Sequence, residues 1–414
     1  MFEKLFKLPA VIARHKSAPY TEERKRYLLH CLKQGYAHTT LLVIADELLW
    51  VAYKLSIYPT LKLSFEQIKA AAKDWKDREH LCGHTLNKKW TSYRFIRIAK
   101  LWLRFLGCLD EVQKPIPFAS LLTDFCRWQE QERGLSPTTI CSWRCYLRQF
   151  LCWYFQKRQP FAAVKLVDVD EFFLTCAKRG CCRVTINNIA AALRAFFRYA
   201  RAKEWCLTLV AEEIKGPRIY AQEGLPSGPP WSEVGRLLAS TETNLPRDIR
   251  NRAILMLFAI YGFRATEVAN LRLDDIDWEH DQIVMHRVKG RGSQLYPLLP
   301  TVGNAILKYL QKVRPQSLCR EVFLTLAVPF RPISRGGLYS LTSRQMQNNG
   351  IYSPRKGPHS LRHACAARLV SQGFSLKEIG DHLGHRSSSA TQIYAKVDLG
   401  GMREVANFDL GELI

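Results

Sequence analysis

The sequence predicts a mainly α-helical fold with a small β-hairpin toward its C-terminal end, and three observations lead there. Apolar residues recur at three- and four-residue spacing through most of the chain. Ser, Thr, Pro and Gly stand where helices start and stop. Strand character is confined to residues 274–299, where 282–286 and 294–298 flank the Gly-containing turn 289–292.

Taken in order, residues 1–19 are a short basic lead with Pro9 and Pro19. Helices are expected over 21–33, ended at Gly35, then over 39–55, 64–78 and 93–106; Pro115 and Pro117 mark a linker. The pattern then restarts. Gly35-Tyr-Ala-His-Thr-Thr40 and Gly134-Leu-Ser-Pro-Thr-Thr139 each stand between two helices. Lys62-Leu-Ser-Phe-Glu66 corresponds to Lys165-Leu-Val-Asp-Val-Asp170, and Trp102-Leu-Arg-Phe105 to Phe196-Phe-Arg-Tyr199. A tandem duplication of one four-helix unit accounts for these matches. It divides this part into an N-terminal helical domain, 1–115, and a second, 116–215. Trp143, Tyr146, Phe150, Trp153 and Tyr154 recur at helical spacing and read as core. Arg144, Arg148, Lys157 and Arg158 fall between them and offer a face for tracking phosphates.

A Pro/Gly-rich linker, 216–230, separates these helices from a C-terminal domain, 231–400. Trp231 opens a helix there, 247–260 forms another that Gly262 stops, Arg264 lies in the turn, and 266–271 resumes helix. Pro358 suits a helix start, which puts His359 and Arg362, three residues apart, on one face. Gly373 ends that helix. A second, 375–383, is closed by Gly384, and His385 stands just past its end. Serines at 387–389 can cap a last short helix carrying Tyr394. The tail, 401–414, alternates apolar and acidic residues and docks on its own domain or on a neighbouring protomer.

The chain has 414 residues, 61 of them basic against 37 acidic, a formal charge of +24. Such an excess concentrates polyanions, and nucleic acid is the expected partner. The longest apolar run, 253–263, is too short to span a bilayer, and residues 1–16 lack a signal-peptide core, so a cytoplasmic location is expected. Thirteen cysteines without regular spacing read as reduced, mostly buried thiols. His80-Leu-Cys-Gly-His84 has no second ligand pair at zinc-finger spacing, and no phosphate-cradling glycine loop is found, so neither metal nor cofactor is expected.

Four segments carry a family resemblance. HSLRHACAARLVSQG, from His359, and IGDHLGHRSSSATQIYAKV, from Ile379, resemble the catalytic signature of the tyrosine recombinases. AIYGFRATEVANLRLDDID resembles that family's first arginine box and VMHRVKGRGSQLYPL its lysine hairpin. The resemblance covers 231–400, and more weakly 116–215, which is similar to the family's core-binding domain. It implies helical, SAM-like DNA-binding units ahead of a tyrosine-recombinase catalytic domain. The implied reaction cleaves and rejoins DNA strands through a covalent 3′-phosphotyrosyl intermediate.

That chemistry builds negative charge on the phosphate oxygens, and guanidinium forks fit two oxygens at once. Arg264 and Arg362 suit that role. By resemblance Tyr394 is the nucleophile, His359 the base, Lys289 the acid for the 5′-oxygen, His385 a phosphate contact and Glu267 an orienting carboxylate. His363 and His382 do not match catalytic positions and read as structural. Gln294 stands where relatives often carry a basic residue, and Phe263 where Leu is frequent. The implied partners are double-stranded DNA and a homo-tetramer on two DNA sites, with partner recombinases as an option. Three roles follow: the recombinase of a mobile element, a related topoisomerase or chromosome-dimer resolving enzyme, or a catalytically silent accessory DNA-binding protein.

Overall fold

The computed structural model describes residues 1–57, 62–73, 88–110, 117–206, 210–220, 228–287, 292–385, 387 and 389–397. Lys289 and the turn around it, Pro115, the His80 and His84 pair, residues 221–227 of the expected linker and the tail beyond 397 lie outside these. The chain falls into two compact units: residues 2–27 with 43–223, and residues 28–42 with 224–414 and Met1.

The short basic lead, residues 1–19, holds two helices. Helices α1 (Phe2–Leu5) and α2 (Pro9–Ser17) bury Phe2, Leu5 and His15. The next helix, α3 (Thr21–Lys33), sends in Arg24, fully buried, whose Nη2 donates to the His15 carbonyl at 2.7 Å and whose Nε donates to the Pro19 carbonyl at 2.9 Å. Arg24 thus ties α3 to the backbone carbonyls where α2 ends.

Helices α4 (His38–Lys54), α5 (Phe65–Lys73) and α6 (Lys88–Leu106) follow. Then come α7 (Ala119–Gln131), α8 (Pro137–Phe155), α9 (Leu166–Lys178), α10 (Arg183–Ala202) and the short α11 (Val210–Glu213). Gly35 and Gly134 both take left-handed φ, +86° and +59°, and the next helix starts three residues later in each case. Both third helices of the two sets are capped alike: the Ser64 and Lys165 backbone N–H groups each donate at 2.8 Å to the side chain three residues on, Gln67 and Asp168. In α8, Ser136 caps the Thr139 N–H and Pro137 takes the first turn. Its buried stripe, Ile140, Leu147, Phe150, Leu151 and Tyr154, joins one core with α7, α9 and α10.

In the other unit, α12 (Trp231–Ala239) leads to α13 (Pro246–Ile260), which is buried on nearly every side from Ala253 to Ala259. A helix apolar all round belongs at the centre of a domain, and α13 packs on α12, α15 (Pro300–Lys312) and α17 (Pro358–Ser371). Helix α14 (Ala265–Asn270) precedes a three-stranded antiparallel sheet, β1 (Ile276–Asp277), β2 (Gln282–His286) and β3 (Ser293–Pro297). Its register pairs Ile283 with Tyr296 and Met285 with Gln294. Ile283, Met285 and Tyr296 face the core while Gln282 and Leu295 turn outward. Helix α15 and α16 (Arg335–Asn348) occupy a stretch to which the sequence reading assigned no element. Last come α18 (Leu376–Leu383), α19 (Ser389–Gln392) and a 3₁₀ turn, Ile393–Val397, so Tyr394 sits in 3₁₀ rather than α geometry.

Candidate active site

Two arginines from distant segments converge on one turn. Arg362 lies in the first turns of α17 and is 3 % exposed. It donates from Nη1 to the Gly262 carbonyl at 2.5 Å and from Nη2 to the Leu383 carbonyl at 2.7 Å. Arg264 precedes α14 and donates from Nη2 to the next carbonyl, that of Gly384, at 3.0 Å. Gly262 takes φ +62° and Gly384 φ +63°, the left-handed turns that close α13 and α18 and aim those carbonyls inward. Burial first, and repulsion from Arg264 second, lower the Arg362 guanidinium to about 10, so it stays cationic at neutral pH. Arg264 is the half-open member, its side chain 35 % exposed.

Glu267, 2 % exposed, organises the cations. It accepts from the Arg264 backbone N–H at 2.7 Å, capping α14, and from Arg264 Nη1 at 2.9 Å. Oε1 takes the Nη1 bond, while Oε2, which takes the backbone N–H, also pairs with Arg287 Nη1 at 2.9 Å. Burial works to raise its pKa, but the Arg264 N–H and the Arg287 and Arg264 guanidinium groups outweigh it, and the carboxyl is held below its ordinary value. Three guanidinium groups thus face one carboxylate, which leaves the site short of negative charge and suited to a phosphodiester.

His385 follows the Gly384 turn, its Nδ1 2.7 Å from the Thr391 hydroxyl. Burial, then Arg362 and Arg264, push its imidazole down to about 4. His359 reaches solvent on one side. Desolvation by its surroundings, then Arg362, Arg355 and Arg264, lower its pKa too, so the ring is neutral at neutral pH. Every described site residue expected from the sequence therefore falls in one neighbourhood. Lys289 lies outside the described residues.

Tyr394 is the surprise. Its ring is 2 % exposed and packs among Ala366, Val370, Ile379 and Leu383. Its hydroxyl lies 2.9 Å from Nδ1 of His363, and burial pushes the phenol up to about 12. The His363 ring meets that of His359 at 4.4 Å between centroids, and burial, then His359, lower it to about 4. His363, read from the sequence as structural, stands between the expected base and the expected nucleophile. The signal was available: one helical turn after His359, it shares that residue's face. Arg287 was missed as well.

Away from this cluster, Arg144 and Arg148 are exposed on α8, along the flank of its buried stripe. Lys157 is not free to join them: its Nζ donates to Asp168 at 2.5 Å and to Glu171 at 2.7 Å. Among the described residues no helix is long and apolar enough to cross a membrane, and no group of three or more His, Cys, Asp or Glu side chains could hold a metal ion.

The phage integrase family profile matches residues 231–399, and the phage integrase N-terminal SAM-like domain matches residues 122–204. An integrase/recombinase of Sinorhizobium fredii is 36 % identical over 277 residues, covering 66 % of this chain and 67 % of the relative. The tyrosine recombinase XerD of Listeria monocytogenes is 28 % identical over 291 residues, covering 69 % of this chain and 96 % of its own. Among solved structures, XerH site-specific recombinase bound to palindromic difH substrate, in a post-cleavage complex, superposes with a TM-score of 0.56 at 19 % identity, covering 85 % of this chain and 99 % of that one. A lambda integrase dimer bound to a COC' core site gives 0.53 at 16 %, covering 68 % and 96 %. At these identities the two structures speak to the fold alone.

Proposed function

The chain belongs to the phage integrase family of tyrosine recombinases, enzymes of site-specific DNA recombination, and from that premise we propose that it breaks and rejoins the DNA of a mobile element through Tyr394. One observation carries the reading: Arg264 and Arg362 reach adjacent carbonyls of a single turn, beside His385, with Glu267 as the carboxylate holding Arg264 in place.

In the proposed reaction the scissile phosphate docks against Arg264, His385 and the rim of Arg362. The guanidinium N–H groups stabilise charge growing on the non-bridging oxygens. The phenolic oxygen of Tyr394 forms a bond to phosphorus while its proton passes to His359, which is neutral at pH 7 and able to accept it. The bond from phosphorus to the 5′-oxygen breaks, and Lys289 supplies the proton that makes this oxygen a free hydroxyl. Phosphodiester energy is retained in the tyrosyl link, and attack by a new 5′-hydroxyl reverses each step. No metal or nucleotide is called for.

With its ring packed beside His363, Tyr394 cannot reach a phosphate. Cleavage therefore requires the 389–397 segment to swing out, and His363 to give up the hydroxyl. Residues 116–215 serve as the DNA clamp that precedes the catalytic domain in the chain, and residues 1–115 as its duplicate, which the matched glycine turns and caps support. The working assembly is a cytoplasmic homo-tetramer on two DNA sites, with the tail beyond residue 400 docking on a neighbouring protomer.

The buried Tyr394 ring favours a second reading, a silent accessory DNA-binding protein. A suicide substrate separates the two: a duplex selected from a randomised pool for binding to the full chain, then nicked so that the short cleaved fragment diffuses away. The expected result is a covalent protein–DNA adduct with wild type and none with Tyr394→Phe. Tight binding with no wild-type adduct on any selected duplex supports the silent reading instead.

A further inference from the structure

Arg287 lies at the end of β2 and is almost out of reach of water, its side chain 10 % exposed. Its guanidinium meets groups from three elements. From α14 comes the Glu267 carboxylate at 2.9 Å. From β3 come the Gln294 side-chain oxygen at 2.7 Å and the Tyr296 hydroxyl, with the Tyr296 ring centroid at 5.5 Å. From the end of α18 comes the His382 carbonyl at 3.4 Å. A cation in so dry a place persists only where a counter-charge and hydrogen-bond acceptors surround it.

The fold also leaves room for this group and nothing else. A Cβ on Gly384 would stand 2.5 Å from Arg287 Cζ. The same Gly384 offers its carbonyl to Arg264. Arg264 and Arg287 therefore flank one residue and divide one carboxylate, Arg264 Nη1 on Oε1 and Arg287 Nη1 on Oε2. Oε2 takes the Arg264 backbone N–H on one side and the Arg287 charge on the other, and Oε1 sets the direction of the Arg264 fork.

We propose that Arg287 is a positioning residue for strand cleavage: by anchoring Glu267 it sets where the half-exposed Arg264 guanidinium meets the scissile phosphate. This rests on the reading above, with Arg264 as a phosphate ligand. The side-chain Nε2 of Gln294 donates to the Asp381 carbonyl at 2.8 Å, so the same amide ties Arg287 to the α18 end of the turn. A residue that only held the fold together would act on cleavage and on stability alike. One that acts through Glu267 moves the chemical step with that carboxylate.

The test is a double-mutant cycle on single-turnover adduct formation, using full-length chains and the same binding-selected nicked duplex. Arg287→Gln and Glu267→Gln should each slow adduct formation, by up to about 10²-fold if Arg264 shifts by roughly 1 Å, with DNA affinity within about twofold of wild type. The double variant should be no slower than the slower single one. Arg287→Lys, which keeps the charge, should recover part of the rate, and it serves alone if Arg287→Gln does not fold. The pH profile gives a further check, since Glu267 faces Arg264, Arg287, Arg362 and Tyr296. Removing the Arg287 charge should move the acid limb of cleavage upward, and Glu267→Gln should cancel that movement. Additive losses, an unmoved acid limb or an undiminished rate in Arg287→Gln overturn the proposal while leaving wild-type cleavage, and so the proposed function, intact. Absence of a wild-type adduct overturns both.

Discussion

Arg362 is held by two carbonyls that diverge from its guanidinium, Gly262 behind it and Leu383 beside it. Lysine has a single terminal nitrogen and cannot satisfy both while keeping donors toward a phosphate. Arg362→Lys should therefore lower adduct formation by about 10²-fold or more, the range for losing a preorganised donor at developing charge, while DNA affinity, measured by fluorescence anisotropy, changes little. An adduct rate within a few-fold of wild type would remove Arg362 from the phosphate site. At this scale the sequence was most informative for the residues of the resembled motifs, the two arginines, His359, His385 and Tyr394, which the fold brings close together. It was silent on Arg287, because nothing local distinguishes a basic residue at a strand end that meets a carboxylate twenty residues away from one that meets water. It also could not show that Tyr394 rests in a pocket. Tyr394 sits between apolar and small residues either way, and only the folding of α17 beneath it decides which face of the ring is covered.

Helix α8 turns one basic stripe outward and one aromatic stripe inward. Arg144 and Arg148 are one helical turn apart, both exposed. If they contact phosphates, Arg144→Ala with Arg148→Ala should reduce the slope of log affinity against log salt by roughly 2 and weaken binding to all sequences about equally. Lys157→Ala should leave that slope unchanged, because its ammonium already sits between Asp168 and Glu171. Titrating binding at several salt concentrations distinguishes these outcomes, and an unchanged slope in the double variant would move the DNA face elsewhere. Most helices were legible because their ends carry caps, as at Ser136, Ser375 and Gly384. Helices α15 and α16 were not, although Pro300 and Ser334 mark their starts. Their stretch lies between the motifs that carry the resemblance and holds none of them. The α1 and α2 segment is illegible for a different reason: charges break up its apolar residues, and its order comes from the carbonyls that Arg24, beyond it in the chain, gathers.

For the whole molecule the buried imidazoles set the response to acid. His363 is 8 % exposed and its folded pKa is about 4, depressed first by burial. In the unfolded chain it titrates near its ordinary value of about 6.5. Above that pH both states are neutral and the residue contributes no pH dependence. As pH falls below it, the unfolded chain takes up a proton that the folded chain refuses, so stability declines until the folded pKa is reached. The largest loss from this residue is about 3 kcal/mol, the linkage value for a shift of this size. His385 acts in the same direction, by less because it is more open to solvent. Glu267 has the opposite kind of shift: its folded pKa is lowered, so the stability it contributes is present above the unfolded carboxylate range and is lost only at still lower pH. The window between about pH 6.5 and 4 therefore belongs mainly to the histidines. Denaturant midpoints measured across it should fall for wild type, and should fall by distinctly less for His363→Asn, which can still bond the Tyr394 hydroxyl but does not titrate there. Since the residues that refuse the proton are the ones beside Tyr394, the loss should begin in the 389–397 segment, seen as faster proteolysis there before global unfolding. Equal slopes for the two proteins would mean that His363 is hydrated or already charged in the folded state, and that the Tyr394 pocket is open.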